Sequence, residues 1–315
     1  MPRMSETKPA TARVWRRCPL CNEGGGDPAF EKGVLRVARC ARCAMLFANP
    51  VDAEFVSGTF YDRLAAPFYL SPDKLESDYA PVRFNREISL FRRHCQQGDV
   101  LDIGCSTGAF LHQLTARFPS RYTTLGMDVA GPALDHAAAQ GGPVLRGSFL
   151  EHDFAGQRFD AVTFWAVLEH LDQPRAFLTK AASLLKPGGH CFILVPNLRS
   201  LAFGMLGTRY RYIMPEHLNY FAPDTLRRFV AQEPRLELVT LRSTHFNPVV
   251  LWQDRRRNTV RVPDAERAAL LKRTTAWKQN PCLAPIRILY AGLERVLGAA
   301  HLADNLVVVL CRKSS

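Results

Sequence analysis

The sequence predicts an α/β fold, a doubly wound and largely parallel sheet preceded by a small metal-binding module. Five apolar strand candidates alternate with helix-length segments between residues 99 and 197, a rhythm typical of such sheets. The first candidate runs into a turn with two glycines, "VLDIGCSTGAFL" at residues 100–111, which predicts a strand, a turn and a helix. Ahead of the strands, two Cys-x2-Cys pairs lie within the first 50 residues.

The overall composition limits where the protein can work and what it can bind. The 315 residues are 47% hydrophobic and contain no apolar run of the roughly 18–20 residues that span a bilayer. The first 17 residues are polar and basic, which argues against a signal peptide, so we expect a cytoplasmic location. The net charge of +12 is concentrated at the two ends, because residues 51–244 carry equal numbers of acidic and basic side chains. A neutral middle disfavours a catalytic groove that grips a nucleic-acid backbone.

The cysteine pattern predicts a metal module at the N-terminus. Cys18, Cys21, Cys40 and Cys43 form two Cys-x2-Cys pairs separated by eighteen residues. Four thiolates complete a tetrahedral shell for zinc, and a shell without an open position is structural rather than catalytic. We therefore predict a zinc-ribbon over residues 1–50, with a disordered start and one zinc ion per chain.

The rest of the chain divides by pattern into four parts. Residues 51–95 are predicted to be a linker with N-terminal helices, residues 96–245 the core with a lid near 200–222, residues 246–303 a helical insertion and residues 304–315 a final strand. In the linker, four apolar residues recur at spacings of 4, 3 and 4, which predicts that they share one face of a helix. They are Phe84, Ile88, Phe91 and Cys95.

Strands and helices of the core follow from local patterns. The seven strand candidates are "DVLDIGC", "TTLGMDV", "PVLRGSF", "FDAVTFWAV", "HCFILVPN", "LELVTLRS" and "NLVVVLCRK". A helix that begins near Pro174 is predicted to end at "LLKPGG", where a proline and two glycines follow. The insertion carries an apolar stripe, Ile286, Leu289, Leu293 and Val296, and we expect its helices to dock on the core or over the site. Attachment to a membrane surface is the weaker alternative.

The glycine turn predicts a nucleotide site of a particular kind. Gly104 and Gly108 stand four residues apart, which matches neither the dinucleotide fingerprint nor a phosphate loop. Asp102 precedes the turn and is placed to meet an amine-bearing group. Asp128 ends the second strand, where a carboxylate can accept both ribose hydroxyls. A ribose without a pyrophosphate, next to an amino-acid-like portion, describes S-adenosylmethionine.

Five motifs in order carry a resemblance to a known family. They are "VLDIGCSTGAFL", "LGMDVA", "FDAVTFWAVLEHL", "LLKPGG" and "PEHLNYF". In order and spacing the chain resembles the class I S-adenosylmethionine-dependent methyltransferases, and most of all a subgroup whose core follows a zinc-ribbon and the linker "CARCAMLFANP". The resemblance covers residues 15–245 and the last strand near 305–313. It implies a methyltransferase with a Rossmann-like sheet of seven strands, of which the last is antiparallel.

The resemblance also implies roles for individual residues. Those implied to bind the cofactor are Asp102, Gly104, Cys105 and Gly108 at its methionine end, Asp128 at the ribose, Val129, Phe149 and Leu150 at the adenine, Trp165 and Ala166 beside the path of the methyl group, and Tyr61 as a cover. The family often places an Asp after the glycine of the third strand's loop. This chain has Gly147-Ser148 instead, with Glu151 and Asp153 as substitutes for the missing carboxylate.

Methyl transfer from a sulfonium needs no acid for its neutral leaving group, but a hydroxyl or carbon acceptor must lose a proton. The candidate bases are His170 in "LEHL" and His217 in "PEHLNYF"; for each, a purely structural role is the alternative. Candidate substrate contacts lie in the lid. Arginines beside tyrosines could hold an acidic acceptor there, and the candidates are Arg209, Arg211 and Tyr212. Glu216, which precedes His217, is the fourth candidate.

Three functions remain open on the sequence. The favoured one is methylation of a small molecule, such as a sugar, a secondary metabolite or a lipid-like precursor, at oxygen or carbon. An RNA methyltransferase that uses the zinc-ribbon and the basic ends is the first alternative. A cofactor-binding partner protein without catalysis is the second. The acceptor, the methylated atom and the oligomeric state do not follow from the sequence.

Overall fold

The computed structural model describes residues 12–62, 66–256 and 262–314. The predicted disordered start falls on residues 1–11, which lie outside this described part. Part of the basic tract near residue 257 lies outside it as well.

The N-terminal module contains five short strands: β1 (Arg13–Val14), β2 (Asp27–Lys32), β3 (Leu35–Arg39), β4 (Leu46–Ala48) and β5 (Val51–Asp52). Strands β2, β3 and β4 pair antiparallel in that order, and β1 pairs separately with β5. Each cysteine pair sits in a tight backbone loop, because the Cys18 amide donates to the Glu23 carbonyl and the Cys40 amide to the Met45 carbonyl. The two loops bring all four cysteines to one point.

Four helices lead to the core: α1 (Ala53–Ser57), α2 (Ala66–Tyr69), α3 (Pro72–Tyr79) and α4 (Asn85–His94). The face predicted from spacing is confirmed in α4, since Ile88 and Phe91 are buried against Val100 and Phe110 of the core. Burial of this apolar face, rather than helix propensity, stabilises so short a helix.

The main sheet has seven strands: β6 (Gly98–Ile103), β7 (Tyr122–Asp128), β8 (Val144–Arg146), β9 (Phe159–Trp165), β10 (Leu185–Pro196), β12 (Leu236–Thr244) and β13 (Asn305–Arg312). Their spatial order is β12-β13-β10-β9-β6-β7-β8. All neighbours are parallel except at β13, which runs antiparallel to both β10 and β12. The predicted sheet of seven strands with an antiparallel last strand is confirmed.

Helices cover this sheet on both faces. Those of the core are α5 (Ala109–Arg117), α6 (Gly131–Ala139), α7 (Pro174–Leu184), α8 (Leu201–Leu206) and α9 (Pro223–Val230), with short 3-10 turns at Leu168–His170 and Gly207–Arg209. The predicted end of α7 within "LLKPGG" is confirmed at Leu184, and Leu185 begins β10, which contains the proline and both glycines. Because the strands are parallel, the loops after β6, β7 and β9 all open at one edge of the sheet, where ligands bind in open α/β folds.

The segment near the C-terminus forms α10 (Pro248–Arg255), α11 (Asp264–Gln279) and α12 (Ala284–Ala299), with a 3-10 turn at Pro281–Leu283. Helix α11 packs against α2 and α3, and α12 packs against β12. The buried residues of α12 are Glu294, Leu297 and Gly298. The predicted stripe is at least 48% exposed at every member, so it is not the docking face. Helical spacing alone shows that residues share a face, but not which face meets the core.

None of the described helices is long and apolar enough to cross a membrane.

One short strand joins the N-terminal module to the core. β11 (Asn219–Tyr220) lies near the end of the predicted lid and pairs antiparallel with β4, so the module's sheet has the order β11-β4-β3-β2. Arg16 reinforces this junction from inside, with its side chain only 2% exposed. It donates to the Leu218 carbonyl at 3.0 Å, to Asn219 Oδ1 at 3.0 Å and to Asp172 Oδ1 at 2.7 Å.

Candidate functional site

The glycine turn closes the carboxyl end of β6 over the neighbouring strand. Gly104 has a φ of +70°, and a Cβ at this position would lie 2.5 Å from Val167 Cγ2. Its amide donates to the Met127 carbonyl at 2.7 Å, which draws the turn towards β7. Gly108, with a φ of +72°, precedes α5. A side chain at Gly104 would force strain and a collision, so the backbone itself forms the floor of the site here.

Asp102 lies under the turn with 3% of its surface exposed. Its Oδ1 accepts a hydrogen bond of 2.6 Å from the Thr163 hydroxyl on β9. Burial raises the pKa of Asp102 to about 7, because the charged carboxylate is poorly solvated there. An ammonium group placed beside it would favour the ionised form, which suits the amine end of an amino-acid-like ligand.

Asp128 ends β7 beside the same turn. It accepts from the Ser106 amide at 2.8 Å through Oδ2 and from the Ala130 amide at 3.0 Å through Oδ1. Burial raises its pKa, while these amide donors act in the opposite direction. Cys105 lies on the far side of the turn against Gly126, where a Cβ would come within 2.7 Å of Cys105 Sγ. Asp128, through its bonds to the loop amides, and Cys105, through its contact with Gly126, therefore hold the shape of the loop before any ligand enters.

The residues predicted to meet the adenine differ in their surroundings. Val129 is 38% exposed beside the site, whereas Phe149 is 2% exposed and packs against Phe154, Phe164 and Phe177. Leu150 is half-buried at the edge of the same core cluster. The ring of Phe149 thus belongs to the hydrophobic core. Contacts with an adenine from this loop stay a prediction, as do those from the exposed Glu151 and Asp153.

The end of β9 presents Trp165 and Ala166. The Trp165 ring packs against Phe110 at 5.2 Å and Phe192 at 6.2 Å between centroids, and its buried Nε1–H has no partner among the described residues. Ala166 is exposed and has a φ of +59°, unusual for a residue with a Cβ. The chain turns sharply here into the 3-10 turn that carries the first candidate histidine.

The two candidate histidines lie together. Their ring centroids are 4.7 Å apart, although 46 residues of sequence separate them. His170 Nδ1 contacts the Glu216 backbone carbonyl at 2.8 Å, and His217 Nδ1 contacts the Tyr212 carbonyl at 2.9 Å. Because a carbonyl only accepts, each Nδ1 carries the hydrogen and each Nε2 has a free lone pair. Burial lowers the pKa of His170 to about 4 and that of His217 well below its usual value, so both rings are neutral at pH 7.

Glu169 completes the cluster, and sequence reasoning missed it. It is 1% exposed, and its Oε2 has no hydrogen-bond partner among the described residues. Burial raises its pKa to about 8. Ligand atoms of Glu169, His170 and His217 all lie within 4.8 Å of one another. An acidic residue beside a histidine is ordinary in a sequence, and only the burial of Glu169 marks it as unusual.

Tyr61 connects this cluster to the turn. Its ring meets the His170 ring edge-on at 5.7 Å, and its buried hydroxyl has no partner among the described residues. Burial raises the pKa of Tyr61, and the nearby charges of Glu216, Glu169 and Asp128 raise it further. Tyr61 therefore lies beside His170, and its role as a cover of the cofactor stays a prediction.

The lid residues predicted to contact substrate divide into two groups. Arg211 is held in a buried ion pair with Asp254 of α10, at 2.7 Å, which fastens the lid to the insertion. Arg209 is exposed. Tyr212 stacks on the His217 ring at 6.3 Å and 21°, and Glu216 is 6% exposed beside the cluster. Tyr212 and Glu216 are thus placed next to the histidines, and contact with substrate stays a prediction for all four residues.

The four cysteines of the N-terminal module fit a zinc ion. Cys18 and Cys43 Sγ are 3.4 Å apart, Cys21 and Cys40 Sγ are 3.5 Å apart, and all four sulfurs lie within 4.8 Å of one another. Zinc–sulfur bonds of about 2.3 Å in a tetrahedron put the sulfurs about 3.8 Å apart. A small outward movement of the thiolates would accommodate the ion, which would hold the two loops of the module together.

The order of the main sheet, its antiparallel β13 and the glycine turn define the class I methyltransferase fold. A family model of a methyltransferase domain matches residues 78–233. Residues 78–233 of the chain thus form a methyltransferase domain with the class I S-adenosylmethionine-dependent fold. Solved structures with this fold include a chain from the complex of the Haloferax volcanii Trm112 methyltransferase activator with a methyltransferase, at a TM-score of 0.52 and 15% identity over 80% of this chain and 99% of that one. A second is an S-adenosylmethionine-dependent methyltransferase from Thermotoga maritima, with a TM-score of 0.50 and 13% sequence identity. The match covers 79% of this chain and 99% of that one.

Curated relatives are similar over about half of the chain. The ubiquinone biosynthesis O-methyltransferase of Caulobacter vibrioides is 33% identical over 169 residues, which are 50% of this chain and 66% of the relative. The enzyme of the same name from Proteus mirabilis is 30% identical over 164 residues, 48% of this chain and 65% of the relative. The chain thus spans just under two thirds of the length of these relatives.

Proposed function

We propose that this protein transfers a methyl group from S-adenosylmethionine to an oxygen atom of a small-molecule acceptor. One observation carries the proposal: Glu169, His170 and His217 form a buried cluster at the edge of the sheet where Asp102 and Asp128 also lie. The neutral imidazoles keep their Nε2 lone pairs available to activate a hydroxyl. Similarity to two proteins named ubiquinone biosynthesis O-methyltransferases supports oxygen as the methylated atom.

The cofactor would lie across the glycine turn. Asp102 would meet the amine of its methionine portion, and Asp128 its ribose hydroxyls. The two amide donors that Asp128 already holds leave further lone pairs on its carboxylate for the ribose. Because Gly104 has no side chain, the cofactor could approach the backbone of the turn closely there.

The acceptor would enter from the lid, between Tyr61 and Tyr212. Its hydroxyl loses a proton, its oxygen forms a bond to the methyl carbon, and the carbon–sulfur bond breaks with its electron pair left on sulfur. The products are the methyl ether, S-adenosylhomocysteine and one proton. Exclusion of water by the buried rings keeps the sulfonium from hydrolysis and holds the reacting atoms in line.

The N-terminal module would bind one structural zinc ion through Cys18, Cys21, Cys40 and Cys43. Its support for catalysis would be indirect, because β4 of the module pairs with β11 two residues after His217. Zinc would thereby stabilise the lid rather than contact the acceptor. A cytoplasmic location and a small-molecule partner stay predictions of the sequence.

The test is a screen with isotopically labelled S-adenosylmethionine against hydroxylated small molecules and, separately, total RNA. We expect label in a small organic product, with little change between low and high salt. Label in RNA, with binding that weakens steeply as salt rises, would establish the alternative reading. In the same assay His217→Ala should lose turnover while it still binds the cofactor, and full activity in that variant would exclude a role of His217 in activating the acceptor.

A further inference from the structure

A cleft lies at the edge of the main sheet opposite the glycine turn, where α4 ends and β6, β7, β9 and β10 begin. Because β6, β7 and β9 are parallel, the residues that begin them meet at one edge and the loops that follow them meet at the other. We call this the amino-edge cleft. Its volume is about 470 Å³, within the range of small-molecule sites. None of the described residues assigned above to the cofactor or the acceptor lines it.

An irregular stretch of β10 forms one wall of the amino-edge cleft. The pairing of β10 with β9 is interrupted between Leu185 and His190, so the "KPGG" segment loops out of the ladder. A Cβ at Gly189 would lie only 2.9 Å from the Lys186 carbonyl oxygen. Glycine therefore allows this tight loop, and His190 follows it as a lining residue of the cleft.

Positive charge predominates in the amino-edge cleft. Four basic side chains line it: Arg92, His94, Arg121 and His190. Asp160 is the one acidic side chain among the described lining residues, and its Oδ2 already accepts from the Asp99 amide and from Lys186 Nζ, each at 2.7 Å. Lys186 also pairs with the Asp99 carboxylate at 2.8 Å. Both carboxylates are thus bound by a lysine, and neither compensates the two arginines.

Arg92 gives the most direct indication of an anion site. Its guanidinium carbon lies 3.7 Å from the centre of the Phe118 ring, which holds the planar group in place. Its Nη1 is buried and has no hydrogen-bond partner among the described residues. A buried donor without an acceptor costs free energy, and an anion in the cleft would supply the acceptor.

The histidines of the cleft lie in a positive electrostatic field. The rings of His94 and His190 are 5.3 Å apart between centroids. Burial lowers the pKa of His94, and the charges of Arg93 and Arg242 lower it further. Arg242 on β12 also has a buried Nε without a hydrogen-bond partner in the described part of the chain. Cations that repel one another in this way are stabilised when an anion binds among them.

We propose that the amino-edge cleft binds the phosphate group of a small molecule, free or esterified, through Arg92, Arg121 and the two histidines. The guanidinium fork matches two phosphate oxygens, which makes arginine well suited to phosphate recognition. The cleft is larger than one phosphate ion, so it admits an attached organic group. This site is independent of the proposed function, because it lies at the other edge of the sheet.

Equilibrium dialysis of the purified full chain tests the proposal, with radiolabelled inorganic phosphate and radiolabelled glucose 6-phosphate as the two probes. At an ionic strength of about 0.15 M we expect one saturable site per chain that both probes share. Tighter binding of the ester would show contacts with the attached group, whereas equal binding would show recognition of the phosphate alone. Glucose and glucuronate should not displace either probe, since they carry no phosphate.

Arg92→Gln should weaken this binding about tenfold, because it removes a charge-assisted hydrogen bond. Arg121→Gln should weaken it less, since Arg121 is exposed and water screens its charge. Arg175→Gln is the matched control: Arg175 is exposed in the first turn of α7, after the carboxyl end of β9, and the variant loses the same charge. We expect this control to bind both probes as the wild type does, and circular dichroism shows whether each variant is folded.

Four results would each overturn the proposal. They are no saturable site for either probe in the wild type, equal weakening in Arg92→Gln and Arg175→Gln, displacement of the probes by S-adenosylhomocysteine, and displacement by glucuronate as effective as that by glucose 6-phosphate. The wild-type titration decides the question even where a variant does not fold.

Discussion

Arg16→Ala should destabilise the protein by about 3 kcal/mol. The side chain is 2% exposed and supplies donors to the carbonyls of Leu218 and Asp172 and to Asn219 Oδ1, each at 3.0 Å. Removal takes their Arg16 donor from the Asp172 carbonyl and Asn219 Oδ1, and it takes one of two donors from the Leu218 carbonyl, which also accepts from the Ala48 amide. Each of these three lost bonds costs about 1 kcal/mol. The Asp172 carboxylate adds little, because it is 25% exposed and water can replace the guanidinium there.

Urea unfolding followed by circular dichroism measures this free energy of unfolding. The free energy of unfolding of Arg16→Lys should lie between those of Arg16→Ala and the wild type. A single ammonium keeps the charge but cannot reach all the acceptors that the planar guanidinium binds. Arg17→Ala is the control on the same segment. Arg17 is exposed and donates only to the Asn22 carbonyl among the bonds described, so we expect a change within about 0.5 kcal/mol.

Arg16→Ala should also affect catalysis, because Arg16 positions the segments that carry His170 and His217. Arg16 binds the residues that follow His170 and His217 in the chain, and it touches neither Asp102 nor Asp128 in the described bonds. We therefore expect Arg16→Ala, assayed where it is folded, to lower turnover while cofactor affinity is kept. A loss of stability below 1 kcal/mol, or equal losses of turnover and cofactor affinity, would refute this account of the junction.

Three further predictions follow from the site. Gly104→Ala should weaken S-adenosylmethionine binding about tenfold or more in calorimetry, since its Cβ would collide with Val167 at 2.5 Å in a left-handed backbone; wild-type affinity would contradict this. The affinity should fall up to about tenfold per unit as pH drops below about 7, because protonation of Asp102 removes the charge that favours the amine, and Asp102→Asn should bind weakly at every pH; a pH-independent wild type would disprove it. Removal of zinc, or Cys43→Ser, should abolish turnover before cofactor binding is lost, as parallel fluorescence titration and activity measurements would show; loss of both together would speak against the module acting through the lid.

Local patterns predicted most of the fold. The seven strands and the helix face of Phe91 follow from apolar spacing, and the glycine turn follows from its motif, because neighbours in the chain decide these features. The exposed stripe of α12 shows the limit, since spacing defines a face but not its partner. The ion pair of Arg211 with Asp254 shows it again. The sequence of the lid gives no sign of the buried carboxylate that the fold brings to Arg211.

The site divides in the same way. The carboxylates Asp102 and Asp128 lie at strand ends, so a motif predicts both their position and their chemistry. His170 and His217 were found as separate candidates, and the distance of 4.7 Å between their ring centroids could not be predicted for residues so far apart in the chain. Glu169 was passed over because an acidic residue beside a histidine is ordinary in sequence and unusual only once it is buried.

The pairing of β11 with β4 has a consequence for how the chain is made. Leu46 leaves the ribosome early, but its partner Tyr220 emerges only after five of the seven strands of the main sheet. The cysteine loops can take up zinc as soon as they are synthesised, whereas the edge of β4 stays without its fourth strand until then. An unpaired strand edge is a site for aggregation. Expression should therefore be sensitive to how fast the central part of the chain folds, and fragments that end before residue 219 should aggregate even when zinc is supplied.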